Sequence, residues 1–387
     1  MTKLEKVILV HYHEIALKGR NRPMFEDRLV RNIKKMIGAQ ITVKRLSGRI
    51  EVCVPEAQIE KALKKMSNIF GISGFSKAVV LPTDFKKIKS STLKLLSEDY
   101  SLKDSKKTFK VVTKRGYKQF PKNSMEISAE IGAYILKNSA LKVDIKKPKI
   151  IINVELLKDR TYIYTKKMSG QGGLPIGVSG KMLVLISGGI DSPVASYFMA
   201  KRGAELFFLH FHSYPYTDKA SIEKVQEILH ILSDFGINEK NLCLAPIIDF
   251  QKEVVKKVNQ KYRIIIYRRL MYKVAEALAK QNRWKALISG DNLGQVASQT
   301  IENMAVIGVG IDLPIMRPLV GFDKEEIIDF AKRIGTFETS ILPHGDCCSV
   351  FLPKNPATKT RITDILIEEK AIGMDKWVEK IIRGIKY

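Results

Sequence analysis

The chain has 387 residues, 45% hydrophobic and 27% charged, which is enough for two or three domains with their own cores and argues against extensive disorder. It has no long apolar run and no apolar stretch after Met1, and its four cysteines are too few and scattered for a disulfide scaffold; a cytoplasmic protein that neither spans a membrane nor is secreted is expected. The formal net charge of +26 is uneven, with 37 Lys and Arg against 16 Asp and Glu in residues 1–175 but 29 against 24 in residues 176–387, so the field suited to a polyanion, nucleic acid ahead of an anionic membrane, belongs to the first half.

Residues 6–13 alternate in hydrophobicity as a strand does, and Phe25, Leu29, Ile33 and Met36 then recur at helical period before Gly38. Strand-like runs at 41–46 and 50–54 flank Ser47-Gly48, a helix runs through Ile59, Leu63 and Met66, and a strand follows at 72–80. The order βαββαβ predicts a ferredoxin-like domain over residues 1–80.

Pro82 opens a second unit, residues 81–168, with helices at 85–96 and 125–136 and strands at 108–113, 149–156 and 161–166, expected as a separate small α/β domain. Between its first strand and second helix, basic and aromatic residues interleave. Lys114, Arg115 and Lys118 are candidates for phosphate contacts, and Tyr117 and Phe120 for stacking on unpaired bases. Residues 169–180, rich in glycine, read as a linker.

From residue 181 to 387 the texture changes. Apolar runs at 182–186, 206–211, 242–248 and 286–289 read as buried parallel strands, with helices starting near Ser192, Asp218, Tyr262 and Ser298. This alternation predicts a doubly wound α/β domain with its site at the strand C-termini.

The sharpest local feature is Ser187-Gly188-Gly189-Ile190-Asp191-Ser192-Pro193, where the first of these strands runs into a helix. It lacks the Gly-Lys-Ser/Thr ending of a Walker A loop. Small residues there let backbone N–H groups and a helix N-terminus close on phosphate oxygens, Ser187 and Ser192 add hydroxyls, and Asp191 is a candidate Mg²⁺ ligand.

This segment resembles the signature of the PP-loop pyrophosphatases, which cleave ATP between the α- and β-phosphates and leave an adenylylated substrate oxygen. With His210-Phe211-His212-Ser213, Arg268-Arg269, the run from Gly290 to Thr300, Arg317-Pro318-Leu319, the segment from Glu14 to Arg22 and the run from Asp346 to Phe351, the chain is similar along nearly its whole length to the tRNA 4-thiouridine synthetase family. Asp291-Asn292 replaces the family's usual Glu-Ser after Gly290. The resemblance implies ATP and Mg²⁺ as cofactors and thiolation of the uridine at the eighth position of tRNA. It places Leu185, Ile186, Ser187, Gly188, Gly189, Ser192, His210, Phe211, Arg268, Gly290 and Gln299 around the nucleotide. It also matches Lys324 to a lysine linked to activity, residues 81–168 to a THUMP domain that holds the tRNA acceptor end, and Cys347 to the family's working cysteine. A homodimer is expected on the same ground.

Adenylylation makes the C4 oxygen of uracil a leaving group, and a thiol carrying a persulfide is a natural source of the replacing sulfur. Cys347 and Cys348 lie in a loop-like stretch between Pro343 and Pro353, without the spacing of a zinc site, whereas Cys53 and Cys243 fall in expected strands and read as packing residues. Many family members carry a C-terminal rhodanese domain with a second cysteine, and none is expected here. Three sulfur routes stay open: Cys348 as resolving thiol, a separate donor such as a cysteine desulfurase persulfide, or inorganic sulfide. The family's link to thiamine synthesis is weakened here, since that role is associated with the rhodanese domain. The other function class open to a PP-loop is an ATP-dependent amidotransferase or ligase, which would not need the basic first half.

Overall fold

The computed structural model describes residues 4–38, 40–216, 219–343, 351 and 355–387. The chain divides into two compact units, Met1–Leu174 and Pro175–Tyr387.

In the first unit β1 (Glu5–His11), α1 (Arg22–Ile37), β2 (Thr42–Leu46), β3 (Arg49–Cys53), α2 (Ile59–Met66) and β4 (Gly74–Leu81) follow the expected ferredoxin-like order. Period-two alternation assigns the faces of β1. Ile8 and Val10 are fully buried in a core with Leu29, Ile33 and Met66, while Val7 and Leu9 pack on the other face with Tyr162 and Tyr164.

α3 (Phe85–Asp99), β5 (Thr108–Arg115), α4 (Ser124–Lys137), β6 (Lys142–Val143), β7 (Ile150–Leu156), β8 (Thr161–Tyr164) and β9 (Met168–Ser169) complete the unit. Side chains start both helices. The Asp84 carboxylate accepts from the N–H groups of Lys86 and Lys87, and Asn123 and Glu126 form a reciprocal capping box.

These strands do not form a sheet of their own. β4 pairs antiparallel with β8, giving one sheet in the order β2-β3-β1-β4-β8-β7-β5-β6, with β9 also paired to β4. β4 spans eight residues and serves two cores, with Phe75 in the first and Val79 in the second beside Ile88, Phe109 and Ile163. Had the sheet ended there, the ladder groups of an apolar strand would lie open at an edge.

The first part of the glycine-rich stretch after β9 is tied down. Gly172 N donates to Ile72 O and Gly71 N to Gly172 O, both at 2.7 Å, and a Cβ on Gly170 would stand 2.3 Å from Ile72 O. Glycine serves close backbone approach here. Beyond Leu174, Gly177 N and Ser179 N both donate to Gly203 O.

The second unit contains β10 (Lys181–Leu185), α5 (Asp191–Lys201), β11 (Glu205–His212), α6 (Ala220–Ser233), β12 (Leu242–Pro246), α7 (Ile248–Lys257), α8 (Arg263–Gln281), β13 (Leu287–Ile288), α9 (Ile301–Gly308), β14 (Ile315–Met316), α10 (Lys324–Ile334), α11 (Phe337–Ile341), α12 (Ile362–Ile372) and α13 (Met374–Arg383). Its sheet is parallel, in the order β12-β11-β10-β13-β14. β14 was not anticipated from the sequence, since two residues are too few to show a period. The fourth expected helix starts at Ile301, because residues Ala297–Gln299 form a 3₁₀ turn first. α8, with twelve buried residues, runs through the core beside Leu183, Leu209 and Leu287. The strand order reverses between β10 and β13, where a doubly wound sheet opens its crevice.

Candidate active site

The loop from β10 to α5 is closed by its own hydroxyls. Ser192 Oγ accepts from Ser187 N at 3.0 Å and lies 3.2 Å from Ser187 O, to which it donates, while Ser187 Oγ accepts from Gly189 N at 3.4 Å. No side chain caps α5 at Ile190, so the loop meets a helix N-terminus whose N–H groups suit an anion. Gly290 backs this turn from the end of β13. A Cβ there would lie 2.8 Å from Ser192 N and 2.9 Å from Asp191 C, closer than Cβ atoms pack, so the strand end and helix start can adjoin only if residue 290 is glycine.

A cavity of about 210 Å³ opens at the reversal point of the sheet. Ten of the residues proposed from sequence line it: Leu185, Ile186, Ser187, Asp191, Ser192, His210, Phe211, Arg268, Gly290 and Gln299. Gly188 and Gly189 shape the loop without lining the cavity. Met271, Ser289 and Asp291 also line it and were missed. His210 is buried, its Nδ1 3.1 Å from Ile186 O, which fixes the ring at the cavity wall. Its neighbour on the same strand face, His212, is pushed down to about 4 by burial, with His210 and Lys386 adding to the effect.

Lys324 lies outside the cavity lining but is brought to Asp191, its Nζ donating to Oδ1 at 2.7 Å, while Gln295 Nε2 donates to Oδ2 at 3.2 Å. Local chemistry explains the position. Asp323 and Glu326 form a capping box that makes Lys324 the first residue of α10, and Gly335 ends that helix in the left-handed region. Phe198 of α5 packs edge-on against Phe330 of α10 at 4.7 Å between centroids and also meets Phe322. These aromatics set α10 against α5 and so Lys324 against Asp191.

Asp291 is 4% exposed and holds the opposite wall. Its carboxylate pairs with Arg268 through one oxygen; the other accepts from Tyr272 Oη at 2.7 Å and Ser289 Oγ at 2.8 Å and lies 3.5 Å from Arg317 Nε. Arg268 and Tyr272 are four residues apart on α8 and therefore share a face. Burial works to raise the Asp291 carboxyl, but Arg268, the hydroxyl donors and Arg317 more than offset it and hold it at about 2. The sequence signal was an acid directly after a buried strand, where only cationic partners make burial tolerable.

Among the described residues no group of three or more His, Cys, Asp or Glu side chains is arranged to hold a metal ion. The single carboxylate of Asp191 beside a phosphate-type loop suits a cation that takes most of its ligands from phosphates and water, as Mg²⁺ does.

The five RNA-binding candidates divide. Lys114 and Lys118 are exposed and Tyr117 is half-buried. Arg115 instead donates to Phe120 O and Lys122 O, fixing the turn into α4, and Phe120 packs at the edge of the second core with its ring 6.3 Å from Phe85. Cys347 and Cys348 lie outside the described residues. Cys243 is buried, which pushes its thiol up to about 11, and Cys53 is half-buried at the end of β3.

The fold and site define a PP-loop-type nucleotide domain joined to a ferredoxin-like and an RNA-binding module. The family model described as thiamine biosynthesis protein (ThiI) matches residues 177–374, its ferredoxin-like domain matches 7–76, and THUMP matches 82–166. The chain belongs to this ThiI family. It is 44% identical over 98% of both chains to a probable tRNA sulfurtransferase of Acetivibrio thermocellus, and 43% identical over 97% of this chain and 98% of its relative to one of Caldanaerobacter subterraneus. A crystal structure of a 4-thiouridine synthetase–RNA complex with bound ATP superposes with a TM-score of 0.88 at 38% identity over 99% of each chain. A Pyrococcus horikoshii protein gives 0.66 at 27% identity, covering 85% of this chain and 99% of its own.

Proposed function

We propose that the chain is an ATP-dependent tRNA sulfurtransferase that converts the uridine at the eighth position of tRNA to 4-thiouridine. The observation that carries this reading is the cavity at the sheet reversal, where the Ser187–Ser192 loop, Asp191 with Lys324, and Arg268 held by Asp291 come together. Such a set fits a nucleotide triphosphate: loop N–H groups for the leaving pyrophosphate, cations at the α-phosphate, and strand-end backbone for the adenine edge.

The uridine O4 attacks the α-phosphorus, the bond to the β-phosphate oxygen breaks, and pyrophosphate leaves with AMP on O4. Asp191 would be the carboxylate that holds Mg²⁺, and the ion when bound would neutralise phosphate charge. Lys324, paired with Asp191 beside the phosphate loop, is the proposed cation for charge on the α-phosphoryl oxygens. The terminal sulfur of a persulfide on Cys347 then attacks C4 and AMP departs. A second thiol, Cys348 or an external one, cleaves the remaining S–S bond at Cys347 Sγ to leave the thiocarbonyl base. The persulfide comes from a separate donor such as a cysteine desulfurase. Lys114, Tyr117 and Lys118, within the basic first half, are the proposed RNA contacts.

The test compares Cys347→Ser with the unaltered chain, measuring AMP formation and 4-thiouridine content with persulfide as donor. Retained tRNA-dependent AMP formation with loss of thionucleoside is the expected result. AMP formation indifferent to tRNA would favour a small-molecule ligase or amidotransferase instead.

A further inference from the structure

The loop that follows β13 is tied down along its length and still shows apolar side chains to solvent. Asn292 Nδ2 donates to Phe322 O, Leu293 N to Val320 O at 3.4 Å, Gly294 N to Gln299 O at 2.8 Å and Gln299 N to Val296 O at 2.8 Å. Leu293 and Val296 on this loop, and Val320 on the segment it bonds to, are nevertheless 50%, 53% and 43% exposed. Large apolar side chains held open on a fastened backbone mark a surface for a ligand with apolar faces.

Gln295 lies on the same loop and is exposed. Its Nε2 donates to Asp191 Oδ2 at 3.2 Å, while Asp191 Oδ1 accepts from Lys324 at 2.7 Å. A carboxylate only accepts, so this contact decides which end of the Gln295 amide faces Asp191 and leaves Oε1, an acceptor, as the end that Asp191 does not engage. A uracil ring has two apolar faces and an edge that reads O4 acceptor, then N3–H donor. Attack by O4 on the α-phosphorus requires O4 beside the Asp191–Lys324 pair, and N3 is bonded to the carbon that bears O4. An acceptor attached to an amide that touches Asp191 is therefore placed for N3–H. The base must leave its stack to react, and apolar contact with its faces offsets part of that cost.

We infer that Gln295 is a specificity-determining residue for the target base: its Oε1 accepts from N3–H of uracil, Asp191 holds the amide in that orientation, and Leu293, Val296 and Val320 give the ring an apolar seat. This rests on the proposed adenylylation of uridine. Cytosine presents a bare acceptor at N3, so two acceptors would face each other. The amide cannot turn over to offer Nε2 instead without setting Oε1 against the Asp191 carboxylate. The carboxylate that serves the phosphate chemistry thus also orients the group that reads the base.

The test uses the full chain with an ATP analogue whose α- and β-phosphorus atoms are bridged by CH₂, so that RNA binding is read without turnover. Affinity is measured for tRNA with uridine and with cytidine at the eighth position, on the unaltered chain and on Gln295→Met, which keeps the side-chain length and removes the amide. Gln295→Met should lower the uridine-to-cytidine affinity ratio about tenfold, the size of one hydrogen bond lost together with one opposed acceptor removed. Any difference in folding between the two RNAs is common to both chains, so the change in ratio belongs to Gln295. Leu293→Ser should weaken both RNAs by about fivefold and leave the ratio in place, as loss of apolar contact does. An unchanged ratio in Gln295→Met would overturn the inference, and a fall in AMP formation with that ratio unchanged would reduce Gln295 to a support for Asp191. Full affinity in Leu293→Ser would remove the apolar seat. Failure of the sulfurtransferase reading would show separately, as AMP formation from ATP by the unaltered chain that is indifferent to tRNA.

Discussion

Replacing Gly290 by alanine tests whether the phosphate loop depends on the backbone packed behind it. The added Cβ would stand 2.8 Å from Ser192 N, 2.9 Å from Asp191 C and 3.0 Å from Ser192 Cα, all backbone atoms that no rotamer change can move aside. Relief requires about half an ångström of displacement of α5 or of the β13 end, and overpacking of this kind costs about 1–3 kcal/mol. For a unit of this size the melting temperature should fall by roughly 2–12 °C. The first turn of α5 carries Asp191 and Ser192, so the displacement passes to the phosphate-facing groups, and kcat/KM for ATP should fall about tenfold to a hundredfold. Calorimetry and pyrophosphate release measure the two effects. Gly132→Ala is the control: a Cβ there meets nothing within 4 Å inside α4, and alanine should be neutral or stabilise by up to about 1 kcal/mol. Unchanged ATP kinetics in Gly290→Ala, with a melting temperature equal to that of the unaltered chain, would refute the argument.

Asp191→Ala should abolish pyrophosphate release while leaving tRNA affinity within about twofold, checked by filter binding; retained release would remove the carboxylate from the mechanism. Asp291 titrates below its ordinary value, so its contribution to stability is complete above the unfolded carboxyl value near pH 4 and is lost as pH falls towards about 2. Chemical denaturation across that window should show the slope, and Asp291→Asn should flatten it while raising KM for ATP through loosened Arg268. Lys118→Ala should weaken tRNA binding and reduce the slope of log affinity against log salt by about 1, as one lost phosphate contact does. An unchanged slope would exclude Lys118 from the interface.

The parts of the site legible in the sequence are those contained in one short segment. Ser187 to Ser192 lie on consecutive residues after a buried strand, so spacing alone located the loop. The pairing of Asp191 with Lys324 joins positions 133 residues apart, and no periodicity encodes it; it emerges from the packing of Phe198, Phe322 and Phe330. Asp291 drew notice only as a departure from a family pattern, yet its carboxylate, with three donors and a further cation, Arg317, beside it, organises the cavity wall. Arg115 and Phe120 were read as RNA contacts because basic and aromatic residues interleave there; the interleaving does not show that the turn after β5 also uses Arg115 as a donor to Phe120 O and Lys122 O, or that Phe120 reaches the second core. The sheet shared through β4 and β8 was hidden for a similar reason: strand character is local, while the choice of partner strand is not.

The division of charge has a consequence for selectivity. Most of the excess positive charge, 37 Lys and Arg against 16 Asp and Glu, lies in residues 1–175, whereas the cations at and beside the cavity are paired, Lys324 with Asp191, and Arg268 and Arg317 sharing Asp291. A wall of unmatched cations would attract any polyanion, an RNA backbone included. Paired cations offer such a backbone little net Coulomb gain, because the local carboxylate must give up its partner in exchange. A nucleotide overcomes that exchange by presenting phosphates at the loop N–H groups and an adenine at the strand ends together, so discrimination in the cavity is geometric, while affinity for RNA is electrostatic and sensitive to salt. The two substrates are thereby recognised by different physics on one chain, and raising ionic strength should act on KM for tRNA far more than on KM for ATP.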